Sequence, residues 1–239
     1  MEQINKWKWS QFGNLRTCED LEEYIKGREQ NHTGYFHYTN INAIDSILMN
    51  NEFWLSHYRT FNDRADQEQF KSLGCFSICF STGKNENLPL WYFYSGLDGL
   101  GGRIEFTKAG IKNLIHDSKF YLVKMVNKGQ YDIKTELVES QNMNIIFRDV
   151  IYSSPPIDDN ENYSLKYNTM TNYFISKQEF ERYRVNHIGF NKSLIWYYEK
   201  ETRLLVQLNA ELENLLHEDE NNITSYKVVL RFDDKILKN

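Results

Sequence analysis

Cysteine is scarce in this 239-residue chain, which holds only Cys18, Cys75 and Cys79. An odd number of thiols excludes a fully paired disulfide framework. The Cys75-x3-Cys79 spacing has no second half nearby to complete a zinc site, so free thiols in a reducing, cytoplasmic compartment are expected. An excess of positive charge is also missing. A net charge of −5 and a pI near 5.7 exclude the broad basic field of a nonspecific nucleic-acid binder, though not an enzyme that grips a nucleic acid locally. No apolar run approaches transmembrane length, and the opening Met1-Glu2-Gln3-Ile4-Asn5-Lys6 has no secretory-leader pattern. No membrane partner is therefore expected. The glycines between 96 and 102 are followed by no Lys-Ser/Thr and form no G-x-G-x-x-G, which excludes the common phosphate loops. His57, His116 and His187 show no zinc spacing, and no metal is expected. Ser77 and Ser81 lack a G-x-S-x-G elbow. Asn62-Asp63-Arg64 with Asp66 and Glu68 lacks the glycine and terminal bidentate Glu of a calcium loop, so capping and turn formation are expected there.

What is present is a chain with 41% hydrophobic and 15% aromatic residues, enough for a substantial core. Thr17 with Asp20 is a capping signal for a short helix stopped near Gly27, followed by a polar linker. Residues 34–38 read as a strand. A helix from Ile41 follows, with Ile41, Ile44, Ile47 and Leu48 as its apolar stripe. Residues 53–56 read as a second strand, and Asn62 as the cap of a polar helix reaching about Ser72. Cys75 to Ser81 alternates with period two: Phe76, Ile78 and Phe80 face one way, and Cys75, Ser77, Cys79 and Ser81 the other. A helix starts at Leu88-Pro89. Strands are expected at 103–106, 120–126, 131–138, 145–152, 202–208 and 226–232. Helix is expected over 163–185 with a break near Ser176, and an acidic mobile stretch at 210–222. Without internal repeat or linker, short strands with interspersed helices predict a single α+β domain with mixed or split, antiparallel-rich sheets around a cleft. Residues 1–33 form a strap and helix, 34–206 the core, and 207–239 an acidic loop and strand.

Two constellations can carry chemistry. His37 and Thr39, two residues apart on one strand, point the same way and together can hold a ribose or a polar ring. A lone strand histidine also serves as a satisfied core residue. Glu199-Lys200-Glu201-Thr202-Arg203, if extended, puts both acids on one face between apolar stretches. Partial desolvation there raises a carboxyl pKa and suits it to stabilise an oxocarbenium-like sugar cation or to polarise a hydroxyl. The alternative is a solvated charge cluster at a strand edge.

Phe36-His37-Tyr38-Thr39, Phe53-Trp54-Leu55-Ser56, Phe61-Asn62-Asp63, Cys75-Phe76-Ser77, Leu90-Trp91-Tyr92-Phe93-Tyr94, Gly102-Arg103-Ile104-Glu105-Phe106 and Trp196 with Glu199-Lys200-Glu201-Thr202-Arg203 follow one another in a telling order. That order resembles a widespread bacterial family defined only as a domain of unknown function, with an F-N-D turn, a C-F-S strand and a W-x-Y-E-x-E-x-R ending. The chain departs from it at Arg64, Gln67 and Leu90. A remoter resemblance is to ADP-ribosyltransferase-like folds, in which the DNA-modifying toxins and RNA 2′-phosphotransferases open on a similar H-x-T strand. That resemblance implies NAD as substrate, His37 and Thr39 on a ribose, and Ser77 or Ser81 as the middle-strand serine. It also implies Glu201 with Glu199 as catalytic acids, and Tyr58, Tyr92 or Tyr94 as the aromatic on nicotinamide. It implies a toxin or anti-phage defence effector that modifies a nucleic acid or a protein, or that hydrolyses NAD. A non-catalytic sensor module that binds a ligand or partner, and a metal-dependent nuclease using Asp63, Asp66 or Glu68, stand as alternatives.

Overall fold

The computed structural model describes residues 15–83, 86–95, 100–127, 130–137, 139–155, 162–166 and 172–233. Helix α1 (Cys18–Asn31) opens on the expected capping box. Thr17 Oγ1 accepts from the Asp20 N–H at 3.1 Å, and Asp20 Oδ2 accepts from the Thr17 N–H at 3.0 Å. The helix does not stop at Gly27. Glycine costs a helix interior only about 1 kcal/mol, and Leu21, Tyr24 and Ile25, all buried, hold the turns before it while Arg28 pairs with Asp149 at 3.3 Å. The strap expected ahead of this helix, with Trp7 and Trp9 tucked onto the body, lies outside the described residues.

Strand β1 (Tyr35–Asn40) runs into α2 (Ile41–Asn50), where Asn40 Oδ1 accepts from the Ala43 N–H at 2.9 Å. Asn51, left-handed at φ 54°, closes the helix and leads into β2 (Glu52–His57). Helix α3 (Arg64–Gln67) is a single turn capped by Asp63, not by Asn62, and does not reach Ser72. Then follow β3 (Cys75–Ser81), α4 (Leu88–Tyr94), β4 (Gly101–Phe106), α5 (Lys108–Asp117), β5 (Lys119–Asn127), β6 (Gln130–Leu137) and α6 (Glu139–Asn142). The strand expected at 145–152 is two strands, β7 (Met143–Asp149) and β8 (Ile151–Ser154), in different sheets. The chain turns at Val150, whose N–H bonds Glu201 O, while the Ile151 N–H bonds Phe190 O. The long helix expected over 163–185 is instead the hairpin β9 (Asn162–Lys166) and β10 (Asn172–Ser176) followed by α7 (Lys177–Asn186). Of the residues whose spacing suggested a helix, Tyr173 and Phe174 alternate buried and exposed on β10 and Phe180 lies on α7, while Tyr167 and Met170 lie outside the described residues. Strand β11 (Asn191–Ser193), a 3-10 helix over Leu194–Glu199 and β12 (Glu201–Leu208) lead to α8 (Ala210–Glu218). The last is an ordered helix where a mobile stretch was expected: Asn209 caps it, and Leu212 and Leu216 are buried. Strand β13 (Tyr226–Arg231) ends the described chain apart from two residues.

The fold is α+β and antiparallel-rich, with β8–β11 the one parallel pair among the described strands. A four-stranded sheet β10-β9-β8-β11 packs with α1 and α7 over its own core of Tyr24, Tyr173, Phe180 and Tyr183. The nine-stranded sheet is forked at β3. One edge of β3 pairs with β12 over its whole length, Cys75 opposite Gln207 through Ser81 opposite Glu201, and β12 pairs on to β7. The other edge carries β2 at one end (Ser56 opposite Ser77, His57 opposite Phe76) and β1 at the other (Phe36 opposite Ser81). From there β1–β4 and β2–β13–β5–β6 diverge as separate branches, joined across the gap by α2. No helix among the described residues is long and apolar enough to cross a membrane.

Candidate functional site

At the fork the edge of β3 has no strand partner around Ile78 to Phe80 among the described residues. A cavity of about 570 Å³ opens there, within the range of small-molecule sites. Its walls include the aromatic rings of Phe36, Tyr38, Trp54, Phe61, Phe93 and Tyr94. The alternation expected for β3 holds. Ser77, Cys79 and Ser81 share the face of Arg203 and Glu201 on β12, and all five line the cavity.

Beneath this face lies a buried charge cluster. The Arg203 guanidinium, 1% exposed, donates from Nε to Glu201 Oε1 at 2.7 Å. It also donates from Nη1 and Nη2 to the two Asp66 oxygens at 2.9 and 2.7 Å, and from Nη1 to Gly189 O at 2.6 Å. Lys192 Nζ reaches Glu199 Oε2 and Glu201 Oε2, each at 2.8 Å. The Tyr94 hydroxyl donates to Glu199 Oε1 at 3.1 Å and accepts from Asn62 Nδ2 at 3.4 Å. Three carboxylates face two cations, which leaves the cluster one formal negative charge.

The two glutamates therefore differ. Burial works to raise the Glu201 carboxyl, but Arg203 and Lys192 outweigh it and hold the group well below the usual carboxylate range. Glu199 is raised, by burial first, against the pull of Lys192 and with the Glu201 charge adding to the rise. Pairs of acids driven apart in this way are a mark of working sites. Desolvation by the surrounding protein, followed by the Glu201 charge, also pushes up the pKa of the surface-accessible Cys79 thiol, which disfavours its thiolate.

His37 and Thr39 both line the cavity, yet they do not form the expected gripping pair beside Glu201. Phe36 stands opposite Ser81, so the strand's alternation turns Phe36 and Tyr38 toward the Glu201 face and His37 and Thr39 to the other. The His37 ring enters the apex of the fork against Phe53 and Phe80, and its Nδ1 bonds Cys79 O at 2.9 Å. A carbonyl only accepts, so Nδ1 carries the proton and Nε2 is left as an acceptor. Burial lowers its pKa, against the opposing effect of that carbonyl, and keeps the ring neutral. Tyr92 is likewise misplaced as the stacking aromatic. It is 77% exposed on the outer side of α4, while Leu90, Phe93 and Tyr94 face the cavity. Helical spacing separates these faces, since Leu90, Phe93 and Tyr94 stand at i, i+3 and i+4. Tyr58 is buried elsewhere, against His57 and Phe70.

One site residue, Lys192, escaped the sequence, and two others were named there in different roles. Asp66 was grouped with turn-forming acids but serves Arg203, while Asp63 does the capping. Lys192 carries no motif. Tyr94 was one of three unranked tyrosines. Among the described residues, no group of three or more His, Cys, Asp or Glu side chains is arranged to hold a metal ion. Comparison with protein-family models, with curated proteins and with solved structures gives no match.

Proposed function

We propose that the cleft takes a nucleotide, NAD first among candidates, and that the chain is an ADP-ribosyltransferase-like enzyme. One observation carries the reading: two glutamates of opposite pKa tendency lie beside each other at the wall of an aromatic-lined cavity in a forked sheet. The glycosidic bond between nicotinamide N1 and ribose C1′ breaks with its electron pair going to nicotinamide. The negative charge at Glu201 stabilises the cationic sugar. The acceptor, a base, a side chain or water, forms the new bond to C1′. Its proton passes to Glu199, whose Oε1 accepts only from the neutral Tyr94 hydroxyl among the described residues.

A second reading, a non-catalytic ligand-binding module, is favoured by two observations. Both Glu201 oxygens are already engaged in ion pairs, and His37 does not share the Glu201 face. One experiment separates them. Purified protein is incubated with NAD while nicotinamide release and melting temperature are followed. The enzyme reading expects release that falls on the order of 100-fold in Glu199→Gln while the NAD-induced melting shift persists. A melting shift without release supports the binding module. Neither effect sinks both.

A further inference from the structure

The acid cluster occupies one end of the cavity, while the other end has a different chemistry. Ser77 is 3% exposed and lines the cavity, and its Oγ has no hydrogen-bond partner among the described residues. Buried hydroxyls are nearly always satisfied, so an orphan on a residue that lines a cavity points to a ligand. Ser56 stands directly opposite Ser77 across β2–β3 and lines the same wall. Lys227 stands opposite Ser56 on β13, on the same face, and its Nζ reaches Ser56 Oγ at 3.4 Å. Lys227 is half-buried and forms no ion pair among the described residues. Desolvation lowers its pKa with no carboxylate to oppose it. A half-buried ammonium set against the cavity-lining Ser56, with two hydroxyls in one cross-strand row, one of them the orphan Ser77 Oγ, makes a place for an anion beside the cavity.

We propose that Lys227, Ser56 and Ser77 form a phosphoryl subsite, which takes the diphosphate of the nucleotide whose sugar lies against Glu199 and Glu201. The assignment rests on the nucleotide reading for the identity of the ligand, though not for the anion chemistry. It fixes the ligand's direction in the cleft, with phosphates toward β2 and β13 and the reacting sugar toward β12. The ammonium supplies the charge, and the Ser77 and Ser56 hydroxyls donate to phosphoryl oxygens.

Calorimetric titration with ADP, adenosine and inorganic pyrophosphate tests it, using the full chain and its Lys227→Met and Ser77→Ala variants. Methionine keeps the length of the lysine stem and removes an uncompensated charge, so the variant is expected to melt no lower than the parent. ADP is expected to bind about tenfold or more tighter than adenosine, from one charge-assisted contact. Lys227→Met should erase that advantage and leave adenosine unchanged, while Ser77→Ala should weaken ADP several-fold, an estimate on the order of a single hydrogen bond. Pyrophosphate binding that depends on Lys227, without nucleotide binding, upholds the phosphoryl subsite and overturns the nucleotide reading. Equal affinities for ADP and adenosine, an ADP advantage that survives Lys227→Met, or no binding of any probe overturns the subsite.

Discussion

A guanidinium as buried as Arg203 survives only because its surroundings answer every face of it. Asp66 binds it bidentately, Glu201 takes Nε, Gly189 O takes a further N–H, and the Phe61 ring lies 5.2 Å from its carbon. Replacing it with methionine leaves Asp66 and Glu201 buried beside a single ammonium. Arg203→Met is expected to cost about 3–5 kcal/mol of stability, read from urea unfolding midpoints; a loss below 1 kcal/mol would show that the cluster is hydrated and loose. His57 makes a second residue-scale prediction. It is fully buried, its Nε2 donates to Leu73 O at 2.8 Å, and burial, with Arg59 and Lys227 nearby, lowers its pKa to about 4. A histidine depressed on folding contributes stability that is whole above its unfolded value near 6.5. That stability is lost as pH falls toward 4, amounting to about 3 kcal/mol. Glu201 and Asp149, also held low, act in the same direction at more acid pH, below the ordinary carboxylate range. His57→Gln preserves a donor and an acceptor but cannot titrate, so its stability should fall less than the parent's between pH 6.5 and pH 4. Parallel slopes in urea melts at several pH values would remove His57 from the acid response.

At the scale of elements, the site depends on a turn as much as on strands. Gly189 sits at φ +82° between α7 and β11, with its carbonyl aimed at Arg203 and its α-carbon against the Phe70 ring. A Cβ there would meet Phe70 Cζ at 2.3 Å, on a backbone that already disfavours L side chains. Gly189→Ala is expected to cost about 2–3 kcal/mol and to weaken any ligand of the cleft, because the displaced carbonyl releases Arg203. A variant with unchanged melting and binding would contradict this. The sequence announced neither that turn nor its purpose, and the pattern of what was legible has a physical cause. Local signals were readable: the Thr17–Asp20 box, the helix start at Ile41 and the two faces of β3 each depend on residues within one turn or one strand. The burial of the E-x-E pair was legible from the apolar neighbours on both sides, but its local form and charge were not. Glu199 ends a 3-10 helix instead of extending the strand, and, against burial, Arg203 and Lys192 hold Glu201 low where a raised carboxyl was expected. Asp66, Lys192 and Gly189 join Arg203 and the two glutamates only through packing of α3 and β11 against β12, contacts with no sequence period. His37-x-Thr39 misled for the converse reason. Period two gives its partnership with itself but not which face of the sheet it takes, and the face is set by the Phe36–Ser81 register.

For the molecule as a whole, the fork is closed by the end of the chain. Strand β13 lies between β2, from the first quarter of the sequence, and β5, from its middle. The branch that carries Trp54 and Ser56 into the cavity is thus finished only when residues 226–231 dock. Pairings this distant in sequence make folding slow relative to a helical protein of the same size. Tyr226, Val228, Val229 and Leu230 are all buried. At about 1.5–3 kcal/mol per large apolar side chain, their loss rivals the whole stability of an ordinary domain. It would also bare the backbone edges of both β2 and β5, which invites intermolecular pairing. A chain ending at Ser225 is therefore expected to lose cooperative unfolding and to aggregate, in thermal melts and in size-exclusion chromatography. The same chain with Lys227→Met alone keeps β13 and should remain monodisperse and cooperative, so strand docking and anion binding separate cleanly. A truncated chain that still melts in one sharp transition would show that the β7–β12–β3 trunk folds without this branch, and that the cleft is an appendage to it.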